Sequence, residues 1–417
     1  MLDLHDMLLL GATGRVADLV RLLPLFPPRP FEPGTDAARA ANAILQRAAP
    51  EDIAWLERHR PSGSEWGSAH PSWDAVRPDE LGVDTPDTDG PHAAVLMLAS
   101  MHSNGFVRER AVRLLAGRRD GGELPYLLVR TNDWVTPVRE AAEAAVRARL
   151  LAAYAAHFVR CLTLVDDLRR ERRASNTALI GDIEALLCTQ AASPTIDEVL
   201  RCGGRVQRRA SARIAARSGD PALLRRAAMD SDPIVATLAA RAITATWSAE
   251  ALCEVLPRLR LGPPRVRYLA LEATCARFAG EAEPHLRRAL LDDACSVREL
   301  ARFLWPKAGS KPLDFAAFYR EALALARGRL FAAALHGLAE TGGEADAPLF
   351  EPHLHDPRSA VRAAAVMGLG RCGMARYGDA LLSAMKDPSS RVAAIARRWV
   401  RVRLGRAYAR RVPRHLG

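Results

Sequence analysis

Lysine is nearly missing from this chain: of 59 basic side chains only Lys307, Lys311 and Lys386 are lysines, so almost all the positive charge sits on guanidinium groups. Together with heavy alanine use this reads as GC-rich coding, and arginine in place of lysine is therefore no sign in itself of selection for phosphate forks. The seven cysteines (161, 188, 202, 253, 275, 295 and 372) are odd in number, scattered and never spaced CxxC, which excludes that zinc motif and a dense disulfide framework. They are expected to be reduced, small apolar residues. No apolar run approaches the ~18 residues of a helical membrane span, and Asp3 and Asp6 stand where a signal peptide would carry basic groups. The expectation is a cytoplasmic protein without a membrane span. HExxH, Walker A and GxSxG motifs are absent, as is any His-Glu dipeptide, so no catalytic residue, cofactor, metal or small-molecule substrate is inferred.

Two fragments approach a chemical motif. Gly11-Ala-Thr-Gly14-Arg-Val-Ala17 resembles a dinucleotide-binding turn, but its third glycine is Ala17, and Pro24 arrives before a crossover helix and second strand could follow. His353-Leu-His355-Asp356 has a spacing seen in metal sites, yet no third ligand converges in sequence, and a helix end is the plainer reading.

What is present is a 417-residue chain, 49% apolar and 26% charged, which excludes disorder throughout and at this length suggests two or three domains. Its charge is uneven. Residues 1 to 105 hold 8 arginines against 15 acids, whereas after Asp387 there are nine arginines and no acid. Such asymmetry points to an anionic partner or to an internal one.

A repeat organises most of the sequence. A turn containing Asp, Pro, Ser or Gly precedes Val-Arg and a run of alanines and leucines, most clearly at Asp133-Trp-Val-Thr-Pro-Val138-Arg139, Asp292-Asp-Ala-Cys-Ser-Val297-Arg298 and Asp356-Pro-Arg-Ser-Ala-Val361-Arg362. Weaker copies centre on Val107, Val206, Val235, Val266, Leu330 and Val392. The anchors are spaced 31, 68, 29, 31, 31, 33, 31 and 31 residues apart, and the doubled interval leaves room for a degenerate copy near Arg172. Within a unit the apolar positions fall at i, i+3, i+4, i+7 and i+8, as in Val297, Leu300, Ala301, Leu304 and Trp305, which is one stripe of a helix. A shorter apolar helix precedes each turn. Two short helices cannot bury their own apolar faces, so neighbouring units must stack. The expected fold is all-α: a right-handed α-solenoid, or superhelix, of stacked antiparallel helix pairs. Capping is expected from Ser296-Val-Arg-Glu299, from Thr136 before Pro137 and from Asp232 before Pro233.

On these residues the chain resembles the HEAT repeat in its short, roughly 31-residue form known from phycobilisome-lyase-like proteins. The resemblance covers about residues 93 to 400. It implies a ladder of turn aspartates and helix arginines along the stack, with Asp133/Arg139, Asp292/Arg298 and Asp356/Arg362 as the matching pairs. Gln207, Ala236, Phe331 and Ala393 replace the arginine, so interruptions are expected there. The division expected is a helical segment 1–60, a Pro/Gly/Asp-rich acidic linker 61–92, the array 93–400 and a basic tail 401–417. For the linker two readings stand: a solvated connection, or a segment whose Trp66 and Trp73 dock on a basic surface of the array.

The remaining candidates are surfaces. The second helix of each pair lines the inner curve in this family, and positions two and six beyond the anchor are expected to face that concavity: Glu109, Arg113, Glu140, Arg208, Arg241, Tyr268, Glu272, Glu299 and Phe303. Mixed charge with aromatic anchors suits a protein or peptide partner better than a phosphate backbone. The leading expectation is thus a non-catalytic scaffold or adaptor. The alternative is a nucleic-acid binder, similar to the HEAT-like DNA glycosylases, using six arginines between Val199 and Gly219 and the tail residues Arg397, Arg398, Arg401, Arg403, Arg410 and Arg411. A lyase or cofactor-attachment role rests on the resemblance alone. The tail arginines have a plainer reading as the polar cap of a stack.

Overall fold

The computed structural model describes residues 4–22, 36–58, 76–81, 91–170, 176–373 and 376–403. Every regular element among them is helical, with no strand. The chain forms two compact units, Met1–Ala239 and Ala240–Gly417, and the division falls inside the helix Pro233–Thr246.

The second unit shows the pairing in its plainest form. Ala249–Leu259 pairs with Pro264–Arg277, Ala282–Ala289 with Cys295–Leu304, Phe315–Leu325 with Gly328–Thr341, Ala347–Phe350 with Ser359–Cys372, and Gly378–Ala384 with Ser390–Arg403. The second helix of each pair lies against the second helix of the next, so the anchors Val297, Val361 and Val392 and residues such as Leu300, Leu338 and Leu369 enter one continuous core. Close approach is paid for with small residues. A Cβ on Gly337 would come within 2.1 Å of the Tyr319 ring, and one on Gly368 within 2.4 Å of Phe350. Glycine at each position is the socket that lets the facing aromatic ring fill the gap between helices.

The first unit is built the same way. Gly105–Gly117 stacks on Thr136–Arg147, and Thr177–Leu187 on Arg205–Ser218. Between Val138 and Val206 lie Ala155–Arg160, Leu162–Leu168, Thr177–Leu187 and Ser193–Cys202, enough helix for the extra unit that the doubled spacing implies. Arg172 itself lies outside the described residues. Ahead of residue 93, Leu4–Thr13 packs on Asp36–Arg47, whose buried face (Ala37, Ala41, Ile44 and Leu45) continues onto Pro91–Ala99. Leu4–Thr13 is a helix where a dinucleotide fold would need a strand. Pro50–Arg58 lies across Leu124–Arg130 and Leu162–Leu168. Of the segment 61–92, the turn Pro78–Leu81 rests on Gly105–Gly117 with Val76 and Leu81 buried. Trp66 and Trp73 lie outside the described residues.

Two anchors behave differently from the rest. Val206 is 62% exposed and Leu330 52%, while the anchors of the clear copies are buried. In the first case the chain is shifted by one residue, because the arginine that does the anchoring work is Arg208, not the residue after Val206. In the second, the aromatic Phe331 stands where other units carry arginine and stacks edge-on against His353, with ring centroids 5.1 Å apart.

Candidate binding surfaces

The turn aspartates and helix arginines form a ladder whose pairs join successive units. The arginine after each anchor turns back to a backbone carbonyl of its own turn: Arg139 donates to the Asp133 carbonyl, Arg298 to the Asp292 carbonyl and Arg362 to the Asp356 carbonyl. The carboxylate is gripped from the unit before. Arg108 forks both oxygens of Asp133 at 2.8 and 2.9 Å, Arg267 forks Asp292 at 2.6 and 2.8 Å, and Arg362 forks Asp387 at 2.8 and 2.9 Å. Asp356 has no such arginine upstream, since Phe331 fills that place, and pairs with Arg358 of its own turn. Arg298 reaches past the next turn to Glu340. The interruption expected at Gln207 is filled one residue on, where Arg208 donates to the Gly203 carbonyl and pairs with Asp230.

Each turn aspartate also accepts the amide of the residue two ahead: Val135 for Asp133, Ile234 for Asp232, Ala294 for Asp292, Arg358 for Asp356 and Ser389 for Asp387. This Asx turn sets the helix start, so Ala294 and Val135 stand at the N-caps where Ser296 and Thr136 were expected to act. Except at Asp356, one carboxylate thus orders its own turn and ties it to the previous helix. Burial would raise the pKa of Asp133, but the Arg108 bonds, the Arg130 charge and the Val135 amide outweigh it, leaving the carboxyl below its ordinary range. Asp387 is lowered by Arg362, against a smaller effect of burial.

A second anchoring device has no counterpart in the repeat. Arg149 is fully buried and donates to Glu123, to the Ala145 carbonyl, and to the carbonyls of Leu115, Ala116 and Arg118 that close the helix Gly105–Gly117. The Leu115 carbonyl also accepts the Arg118 amide, and at such a helix C-terminus, where carbonyls run out of intrahelical donors, a cation is the favoured group.

The arginines of the 201–217 stretch are paired within the first unit. Arg201 pairs with Asp197, Arg205 and Arg209 with Asp232, Arg208 with Asp230, Arg213 with Asp166 and Arg217 with Glu184. Asp232 is driven well below the usual carboxylate range by Arg209 and Arg205, which overcome the opposing effect of burial. Each such pair on a surface is worth only ~0–1 kcal/mol, and five carboxylates serve the six arginines, three of them shared with Arg169 or Arg226.

The residues expected on the inner helices are placed as follows. In the first unit Glu109 and Arg113 form an exposed i,i+4 pair at 2.6 Å, Glu140 is exposed, and Arg208 is committed to the ladder. In the second, Arg241, Glu272 and Glu299 are exposed. Tyr268 is half-buried under the Arg265 guanidinium, 4.5 Å from the ring centroid, and Phe303 is 60% exposed with the Lys307 ammonium 3.6 Å from its centroid. Near Phe303, Arg298 and Arg302 both engage Glu340, and burial together with Glu340 pushes the Cys295 thiol up to about 12. Phe106 and Trp134 are also strongly exposed, on the turn edge of the first unit. At the C-terminal helix, Arg398 and Arg401 are exposed and Arg397 half-buried, and none has a carboxylate partner among the described residues. Arg410 and Arg411 lie outside those residues, and Arg403 is placed only as part of the helix backbone.

His353 and Asp356 do not converge on a third ligand, and among the described residues no group of three His, Cys, Asp or Glu side chains could hold a metal ion. No described helix is long and apolar enough to cross a membrane. Compared with protein-family models and with curated proteins, the chain matches none of them.

Proposed function

We propose that this chain is a HEAT-repeat scaffold without catalytic activity, binding a protein or peptide through the exposed faces of its second helices. The observation that carries the reading is the pairing of all six arginines of the 201–217 stretch with carboxylates. A protein built to neutralise phosphates leaves such groups free to displace the counterions of the nucleic acid, whereas here five of the six tie the helix Arg205–Ser218 to neighbouring helices or to the next turn. What stays exposed on those helices is mixed charge beside aromatic rings, Phe303 in the second unit and Phe106 in the first. That combination suits a polypeptide, with aromatic anchors inside a polar rim. Seven free thiols fit action in a reducing, cytoplasmic compartment.

One observation favours nucleic acid as a second reading: Arg397, Arg398 and Arg401 carry no internal counter-charge among the described residues. The two readings separate in a capture experiment from the native host, run with and without nuclease. A scaffold retains its protein partner after nuclease and loses it on Phe303→Ala or Tyr268→Ala. Capture of nucleic acid alone, lost on Arg398→Gln with Arg401→Gln, reverses the assignment.

A further inference from the structure

Among the arginines of the second unit, Arg260 stands apart. The ladder arginines each fork a carboxylate, but Arg260 is half-buried and donates, among the described residues, only to the Thr274 hydroxyl at 3.0 Å. Thr274 in turn donates to the Ala270 carbonyl, which holds its oxygen facing the guanidinium. No carboxylate among the described residues lies within ion-pair distance of Arg260. Arg288, close enough to lower its pKa further after burial has done so, has no carboxylate partner there either. Removing a cation from water without a counter-charge is costly. The sequence gives no repeat-based reason for a cation at this place.

The guanidinium lines a cleft of about 150 Å³ bounded by Ala249–Leu259, Pro264–Arg277 and the first turns of the next helix. Its lining is mixed, with the polar Arg260, Thr274 and His285 beside the apolar Leu256, Pro257 and Phe278. Glu281 is exposed at the edge. Cavities of this size hold molecules of about six non-hydrogen atoms. A planar fork of N–H donors is matched by the oxygens of a carboxylate or phosphate group. Burial, followed by the Arg260 charge, keeps His285 below its ordinary pKa, so near neutrality its imidazole offers one N–H donor without adding a third charge.

We propose that this cleft is a binding site for a small oxyanion, a phosphate or carboxylate group held by Arg260, with Arg288 adding charge and His285 a donor. The site is separate from the exposed helix faces assigned to a polypeptide above, and it stands or falls independently of them.

The test uses the exposed Cys253 thiol, which lines the cleft, as the reporter. Its alkylation rate in the full-length protein is measured with inorganic phosphate, with acetate, and with sodium chloride at matched ionic strength. Cys202, exposed in the other unit, serves as the internal control. Protection of Cys253 and not Cys202 by phosphate identifies a phosphate site, and protection by acetate alone a carboxylate site. Arg260→Gln should weaken the protecting anion about tenfold or more, the loss of one charge-assisted contact. Arg288→Gln should weaken it less while leaving the cleft wall intact, and circular dichroism confirms that both variants fold. Equal rates with chloride, phosphate and acetate overturn the proposal, as does protection that survives Arg260→Gln unchanged.

Discussion

The buried Arg149–Glu123 pair gives the sharpest prediction about how the first unit is held together. Replacing Arg149 with methionine keeps much of the side-chain volume but removes the donor at 2.6 Å from Glu123, the one at 2.7 Å from the Ala145 carbonyl, and the single nitrogen that reaches Leu115, Ala116 and Arg118. Glu123, itself fully buried, is left with the Tyr154 hydroxyl as its side-chain donor. Breaking one side of a buried pair typically costs about 3–5 kcal/mol, because the surviving charge has no water to turn to. For a unit of this size 1 kcal/mol moves the midpoint by roughly 2–4 °C, so a fall on the order of 10 °C is expected in thermal melts followed by circular dichroism. Arg113→Met is the control, since its exposed i,i+4 pair with Glu109 is worth about 0.3–0.5 kcal/mol. Adding Glu123→Gln to Arg149→Met should recover part of the loss by removing the stranded charge. If Arg149→Met melts with Arg113→Met, the pair does not hold the end of helix Gly105–Gly117 and the reasoning fails.

Other parts of the structure make shorter predictions. Burial, reinforced by Arg298 and Arg391 and opposed by Glu340, holds the His336 pKa down to about 4, against about 6.5 when unfolded. The unfolded chain therefore takes up the proton first. Stability from this group is complete above about pH 6.5 and declines as pH falls toward 4, by about 3 kcal/mol in total. Guanidinium midpoints between pH 7 and 5 should fall less steeply for His336→Gln than for the wild type, and parallel curves would refute the assignment. Gly368→Ala should destabilise the second unit by about 1–3 kcal/mol through its clash with Phe350. Combining it with Phe350→Leu should cost less than the two changes added together, which a double-mutant cycle on denaturation midpoints measures.

The helix pairs are legible in the sequence because burial imposes a period. Val297, Leu300, Ala301 and Trp305 recur on one stripe and are all buried. The pairing of charges is less legible, because each ladder bond joins two units. Arg108/Asp133, Arg267/Asp292 and Arg362/Asp387 share a separation of 25 residues, a regularity visible in the sequence only when a helix arginine is matched to the next turn instead of its own. The arginines between Val199 and Gly219 look unopposed for a related reason: their acids, among them Asp166 and Glu184 on neighbouring helices and Asp232 in the next turn, lie up to 47 residues away. Arg149 and Arg260 follow no repeat position, so only the folded chain shows that one has carbonyls and a carboxylate around it and the other a cleft.

If the arginines of the 201–217 stretch are tied up within the fold and do not serve phosphates, duplex DNA binding depends only weakly on ionic strength, measured by fluorescence anisotropy on the full chain between about 50 and 200 mM salt. Internal pairing predicts a shallow slope of log affinity against log salt, one to three phosphates at most, unchanged when Arg205 and Arg209 become glutamine. A slope corresponding to six or more phosphates, reduced by those substitutions, would contradict it.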